Sequence, residues 1–587
     1  MHLNNDKNFK ENIFLAFIFL YFFLISIFQA TDNHWSAIID QDIFLIYNSL
    51  LIYSGFEQEY IDHPAFSTFF ILGGIYKILS FFFNNFTLNE IINSNNIDQN
   101  FQTLFSIARF LNSIYLFVYS FLLFKILNEL NIKKNLCYAG ILLLLTFHSV
   151  YELLFLIRSE ILSAILSLLS FYLLILFVKY KKSYISCFFS GFFLCLAILA
   201  KVQVIFLIFI LLLILPFLFP YYDYQDSNNQ ILKKNKFFVF SSSVLVLFFL
   251  GYIGFEFFYA FWLLTEQSLI FRYKISIPHL IDPIAYTSCI LFYFLVSYYL
   301  SKKNNIKLKT FIRPFGIIIY GFIFCLLFIY SLDLIKLISF NDKILFSILN
   351  PIHKMSYYGW GTYNPEATNE LNFLNILQSI KEILFSRSKL FPNESLTIQI
   401  LSTKIGILDF FRFSNVLILA ILFLILVLKK GNNKNLAIIF IPFLGIAVLN
   451  LSFSVRDSLG YNIYIYPLLL IAIITCLSYL KNKYISLSFF IALFIVSILE
   501  FYLLKNYYKL QFTRENRIYG ICKIENWKNS ENYINNHNLN SFIPLTKYPD
   551  KVLSTFSNLD QKFFDNYCGQ IEKKTSWKTN FFNIIIN

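Results

Sequence analysis

The chain has 587 residues, 57% of them hydrophobic and only 14% charged, with 74 Phe, 39 Tyr and a mean hydropathy of +0.62. No soluble core needs that much apolar surface, and apolar runs of roughly 20 residues recur along the chain, the length that crosses a hydrocarbon layer at about 1.5 Å per residue. A net charge of +14 would suit nucleic acid in a soluble protein, but here the lysines fall in short tracts between apolar runs, where they act as topology signals and argue against nucleic acid as a partner.

The first segment, MHLNNDKNFKEN, carries Lys7 and Lys10, which favours a cytoplasmic start. Residues 13–30 read as a first span, retained as an anchor because no small-residue cleavage site stands near Ala30. Stretch 31–64 then holds six acids, Asp32, Asp40, Asp42, Glu57, Glu59 and Asp62. A carboxylate beside a bilayer is costly unless it is solvated, paired or used, and a solvated loop pair is the plain reading of Asp40 and Asp42.

Residues 65–83 are apolar, yet if they cross, the six downstream basic tracts from Lys133/Lys134 to Lys481/Lys483 all fall outside. Placing 65–83 in the outer interface puts every tract inside, and Gly73, Gly74 and Lys77 suit an interfacial helix. The remaining spans are then predicted at 101–124, 135–153, 157–178, 184–200, 202–219, 237–258, 284–301, 310–332, 413–428, 435–453, 461–480 and 485–504. With the first they make about thirteen, in an all-α polytopic membrane protein. Loop 333–412 and tail 505–587 then share the outer face with the acidic stretch. Cys522 and Cys568 in the tail are free to pair in an oxidising compartment, or to remain thiols; the other six cysteines read as small core residues, and no spacing resembles a zinc site.

The same topology gathers polar residues at outer helix ends: Arg158, Ser159 and Glu160 at one turn, Lys201 and Gln203 at a second, and Arg456 and Asp457 at a third, followed by Tyr461, Tyr464, Tyr466 and Pro467. Singly, the cations read as snorkelling interface residues and the tyrosines as an aromatic belt. Carboxylates in the first outer loop together with cations at three outer turns favour a functional site.

The order of these features resembles the GT-C class of membrane glycosyltransferases, in the polyprenyl-phosphate-sugar-dependent branch that includes protein mannosyltransferases and the lipid A aminoarabinose transferase. The matching elements are Asp40-Gln41-Asp42, the helix FLIYNSLLIYSG ending at Gly55, Asp62-His63-Pro64, Arg158-Ser159-Glu160, Leu196-Ala197 through Lys201, and the run from Tyr461 to Pro467. Gln41 stands where many relatives have Glu, and Ile43 where some have Arg.

The resemblance implies a GT-C fold over 1–504, with a first outer loop at 31–100 carrying amphipathic interfacial helices, a large outer loop at 333–412, and a small outer region at 505–587. It implies a bacterial inner membrane location with a cytoplasmic N-terminus and periplasmic C-terminus. The reaction implied is sugar transfer from a polyprenyl-phosphate donor to a glycan, lipid or protein acceptor. Asp40 would be the general base, and Asp42 its alternative, or a holder of acceptor hydroxyls or of a divalent cation such as Mg or Mn. Lys201, His63 and Arg456 would meet the phosphate, with His353 and Lys354 in addition, while Arg158 and Glu160 shape the sugar pocket. Asp62, Tyr461 and Tyr464 complete the substrate-binding set, and the apolar runs give the polyprenyl chain a groove facing membrane lipid. The competing readings are an envelope polysaccharide polymerase and a lipid or sugar transporter. No internal repeat is present, and most charges sit at span ends rather than at mid-membrane.

Overall fold

A computed structural model of the chain describes residues 2–30, 42–58, 65–84, 86–88, 90, 97–180, 184–222, 278–340, 344, 414–428, 439–442, 444–446, 459–480 and 483–511. The apolar runs become helices, because only internally hydrogen-bonded backbone is tolerated in lipid, and there is no strand among the described residues. In chain order they are α1 (His2–Ile25), continued by a π-helical turn Ser26–Ala30, α2 (Asp42–Ile52), α3 (Phe66–Leu79), α4 (Ile97–Glu129), α5 (Lys134–Leu145), α6 (His148–Phe155), α7 (Ser159–Tyr180), α8 (Ile185–Ala200), α9 (Ile205–Tyr221), α10 (Pro278–Asn304), α11 (Leu308–Leu334), α12 (Ser414–Leu428), α13 (Ile465–Tyr479) and α14 (Lys483–Gln511). Short 3-10 turns at Val202–Val204 and Leu459–Tyr464 lead into α9 and α13.

Six helices among the described residues are long and apolar enough to cross a membrane, or seven if the bent pair α5 and α6 counts as one span. This is an all-α polytopic membrane protein. The span expected at 135–153 is broken by a 57° bend between α5 and α6. Thr146 sits at the break and donates its hydroxyl back to the Leu143 carbonyl at 2.7 Å, a local bond that bends helices. The expected boundary at 504 falls inside α14, which runs on to Gln511. The expected span 237–258 and nearly all of loop 333–412 and tail 505–587 lie outside the described residues.

Ion pairs fix which helix ends lie together. Glu11 near the start of α1 meets Lys125 at the end of α4 (2.6 Å) and Lys134 at the start of α5 (2.8 Å). Lys179 at the end of α7 meets Glu129 at 3.1 Å, and Tyr222, just past α9, donates its phenol to the Glu129 carbonyl at 2.8 Å. These contacts define a basic end. Arg109 stands roughly 30 Å along α4 from Glu129, and Ser159 the same distance along α7 from Lys179, about one hydrocarbon thickness. The starts of α2, α7 and α9 and the ends of α6 and α8 therefore gather at the opposite end.

Helices α2 and α3 form a hairpin at that opposite end. Ser67 at the start of α3 donates to the Leu196 carbonyl of α8 at 2.7 Å, and Tyr76 near its finish donates to the Leu104 carbonyl of α4 at 2.9 Å. With 14 residues, about 21 Å, α3 is too short to cross a hydrocarbon layer of about 30 Å. Gly73 allows the hairpin to close, because a Cβ there would run into the Ser49 carbonyl oxygen. The first residues of the long loop dock on the hairpin too, with the Ser339 amide donating to the Ile52 carbonyl at 3.0 Å.

Helices α8 and α11 cross at close backbone contact. Gly191 faces the Ile318 carbonyl and Gly321 faces the Phe188 carbonyl, so each backbone fills the space a side chain would need. Gly191→Ala is expected to destabilise the protein by about 1–3 kcal/mol through overpacking, read as a lowered unfolding temperature in detergent. An unchanged transition would mean that the two helices have room to separate. Cys137, Cys187, Cys195, Cys325 and Cys476 are buried free thiols, and Cys289 is half-buried and free.

Candidate functional site

At the end of the bundle opposite the basic end, α7 begins beside the end of α8. Glu160 lies in the first turn of α7, where the positive end of the helix dipole favours a carboxylate. Lys201 caps the end of α8, where a cation is favoured for the complementary reason, and its extended backbone (φ −158, ψ 121) breaks the helix before the 3-10 turn Val202–Val204. The two meet with Lys201 Nζ 3.1 Å from Glu160 Oε1, and their side chains are 0% and 1% exposed. Arg158 Nη1 approaches the same oxygen at 4.0 Å. Both Glu160 carboxylate oxygens are buried, and Oε2 accepts no hydrogen bond from another described residue.

One turn into α7, the Ser163 hydroxyl donates to the Glu160 carbonyl at 2.8 Å and lies 2.6 Å from the Tyr464 hydroxyl. Tyr464 closes the 3-10 turn before α13 and is buried, as is Tyr466, whose hydroxyl bonds Ser149 at 3.0 Å. These two tyrosines are therefore internal braces, and the aromatic-belt reading does not hold for them. Gln203 is buried next to the Lys201 break.

The break between α6 and α7 is held from outside. A helix that stops leaves bare carbonyls, and low-dielectric surroundings make them expensive. Arg109 of α4, 1% exposed, donates Nε–H to the Phe155 carbonyl at 3.2 Å, and Asn112, one turn on, donates to the Leu156 carbonyl at 2.8 Å. Asp42, the first residue of α2, accepts the Ile157 amide on Oδ2 at 3.0 Å, and its charge acts on the Arg109 guanidinium. Three side chains thus satisfy two successive peptide units, Arg109 the one between Phe155 and Leu156 and Asn112 with Asp42 the one between Leu156 and Ile157, and the next residues are Arg158, Ser159 and Glu160.

Of the residues expected from sequence, the structure brings Asp42, Arg158, Glu160, Lys201 and Tyr464 to one end of the bundle. Tyr461 lies on the 3-10 turn Leu459–Tyr464. Asp40, Asp62, His63, His353, Lys354 and Arg456 lie outside the described residues. Among the described residues, no three His, Cys, Asp or Glu side chains group as a metal site, and Asp42 Oδ2 is engaged by a backbone amide. Arg109 and Asn112 were not anticipated. A signal for them exists, since SIARFLNSIYLF places an Arg and an Asn three residues apart, on one face of an apolar helix, and an ionisable residue inside a span marks function or a polar partner.

The fold and this polar end define an all-α polytopic membrane protein with a buried charged cluster at one end of its helices. Comparisons with protein-family models, with curated proteins and with solved structures find no match.

Proposed function

We propose that the chain is a membrane glycosyltransferase of the GT-C class that moves a sugar from a polyprenyl-phosphate donor to a glycan, lipid or protein acceptor. What carries this reading is the convergence of Lys201, Glu160, Arg158 and Asp42 at the end of the helices opposite the lysine-rich end. By the positive-inside rule the lysine-rich end faces the cytoplasm, so the cluster faces the periplasm of a bacterial inner membrane.

In this reading the acceptor oxygen attacks the donor C1, its proton passes to Asp40, the C1–O bond to phosphate breaks, and the lipid phosphate leaves with the bonding pair. Lys201 and Arg158 offset the charge that develops on the departing phosphate, and His63 and Arg456 extend the cationic wall. Glu160 holds Lys201 in place. Asp42 is a positioning residue, because its Oδ2 accepts the Ile157 amide and so orients the turn carrying Arg158 and Glu160.

The test is mass spectrometry of envelope glycans in cells that lack the chain and in cells complemented with variants. Loss of one sugar addition is expected, restored by the unaltered chain and not by Asp40→Asn at equal membrane levels. Unchanged glycans in cells without the chain, or full restoration by both Asp40→Asn and Asp42→Asn, would remove the enzyme reading.

A further inference from the structure

The α2–α3 hairpin encloses a second polar space that the proposed transfer does not use. A cavity of about 310 Å³ opens between the two helices, lined in part by Ser49, Tyr53, Ser54, Tyr76, Lys77 and Thr87. Most of its hydroxyl protons are already spent on backbone: Ser49 donates to Leu45 (2.5 Å), Ser54 to Leu50 (2.8 Å), Tyr53 to Phe70 (2.9 Å) and Tyr76 to Leu104 (2.9 Å). Burial pushes the Tyr53 phenol up to about 12, so it stays a donor. These oxygens therefore face a ligand mainly as acceptors.

The cation at the cavity is Lys77, exposed in the last turn of α3 and without an ion pair among the described residues. Glu90, which follows Thr87, is taken up by the amides of Phe86 (3.1 Å) and Thr87 (3.0 Å). The cavity thus offers one free positive charge beside a row of acceptors, a pattern that fits a phosphate carrying hydroxyl groups.

Immediately past Lys77 the chain turns outward. Ile78, Phe81, Phe82 and Phe83 are 59%, 74%, 75% and 59% exposed. Three consecutive rings left in water would be costly. Since Tyr76, just before these rings, is tied to Leu104 near the start of α4, the rings lie near the level where the spanning helices emerge, where bilayer can cover them.

We propose that the α2–α3 hairpin binds an anionic phospholipid of the surrounding bilayer. Ile78 and Phe81–Phe83 enter the acyl layer, Lys77 meets the phosphate, and headgroup hydroxyls donate to Ser54 and Thr87. The ligand is bulk lipid, so this site stands whether or not the glycosyltransferase reading does.

The experiment uses the full chain in nanodiscs of phosphatidylcholine and phosphatidylglycerol, with retained lipid read by native mass spectrometry after detergent transfer. The chain is expected to keep phosphatidylglycerol in preference. Lys77→Ala should lower that retention about fivefold, the effect of one lysine at an anionic surface, and Lys77→Arg should recover it. In parallel, the added indole fluorescence of a Phe82→Trp variant should be quenched by lipids brominated on their acyl chains. Equal phosphatidylglycerol retention by Lys77→Ala, an unquenched indole at position 82, or displacement of the lipid by millimolar inorganic phosphate would each overturn the proposal, the last by showing a site for a soluble anion.

Discussion

Lys201→Met is expected to destabilise the protein by about 3–5 kcal/mol and to abolish sugar transfer. The stability loss follows from burial, because Glu160 would keep its charge in a position only 1% exposed, and removing one partner of a buried pair leaves the other uncompensated. Arg158 offsets this only in part, since 4.0 Å is beyond hydrogen-bonding distance. The double variant Lys201→Met/Glu160→Gln separates the two effects. With the fully buried pair neutralised and only Arg158, 11% exposed, left charged beside it, most of the lost stability should return, as it does when buried ion pairs are replaced as a unit. On the proposed function transfer should not return, because the cation assigned to the phosphate is gone. Chemical denaturation in detergent gives the first readout and glycan mass spectrometry the second. A stable double variant that still transfers sugar would reduce the pair to a structural brace.

What could be read from sequence divides along physical lines. The spans were legible because uninterrupted apolar runs leave the backbone little choice but helix, and α1, α4, α7, α9 and α11 overlap the expected segments. Segment 65–83, expected at the outer interface on the count of six lysine tracts, forms the 14-residue α3, shorter than the helices long enough to cross. Arg158, Glu160 and Lys201 were visible because a charge at the end of an apolar run stands out. Arg109 and Asn112 were missed because hydropathy averaged over 33 residues of α4 conceals two polar positions, and what they do is set by a helix break 46 and 44 residues further along the chain. The α5–α6 bend has no Pro or Gly to announce it and depends on a threonine bonding its own preceding turn. The crossing of Gly191 and Gly321 pairs residues from helices distant in sequence, which no local pattern reveals.

Arg109→Met should show how far the broken span serves the site. The bare Phe155 carbonyl alone costs about 1–3 kcal/mol, and Asp42, relieved of its neighbouring cation, adds to that. Asn112→Leu removes a neutral bond to the next carbonyl and should fall within the same 1–3 kcal/mol, with no charge left behind. Because Arg109 and Asp42 hold adjacent peptide units of one turn, Arg109→Met and Asp42→Asn are expected to couple by about 0.5–3 kcal/mol in a double-mutant cycle, and simple additivity would mean the two act separately. The kinetic consequence discriminates more sharply. If the turn exists to aim Arg158 and Glu160, loosening it displaces Arg158 from the departing phosphate and Glu160 from Lys201, so on the proposed function kcat should drop at temperatures where the variant remains fully folded, while apparent affinity for a polyprenyl-linked donor should change little. A variant that loses stability but keeps kcat would assign Arg109 to helix termination alone, since satisfying a bare carbonyl needs only a donor, whereas catalysis needs that donor to hold the following turn at a fixed angle.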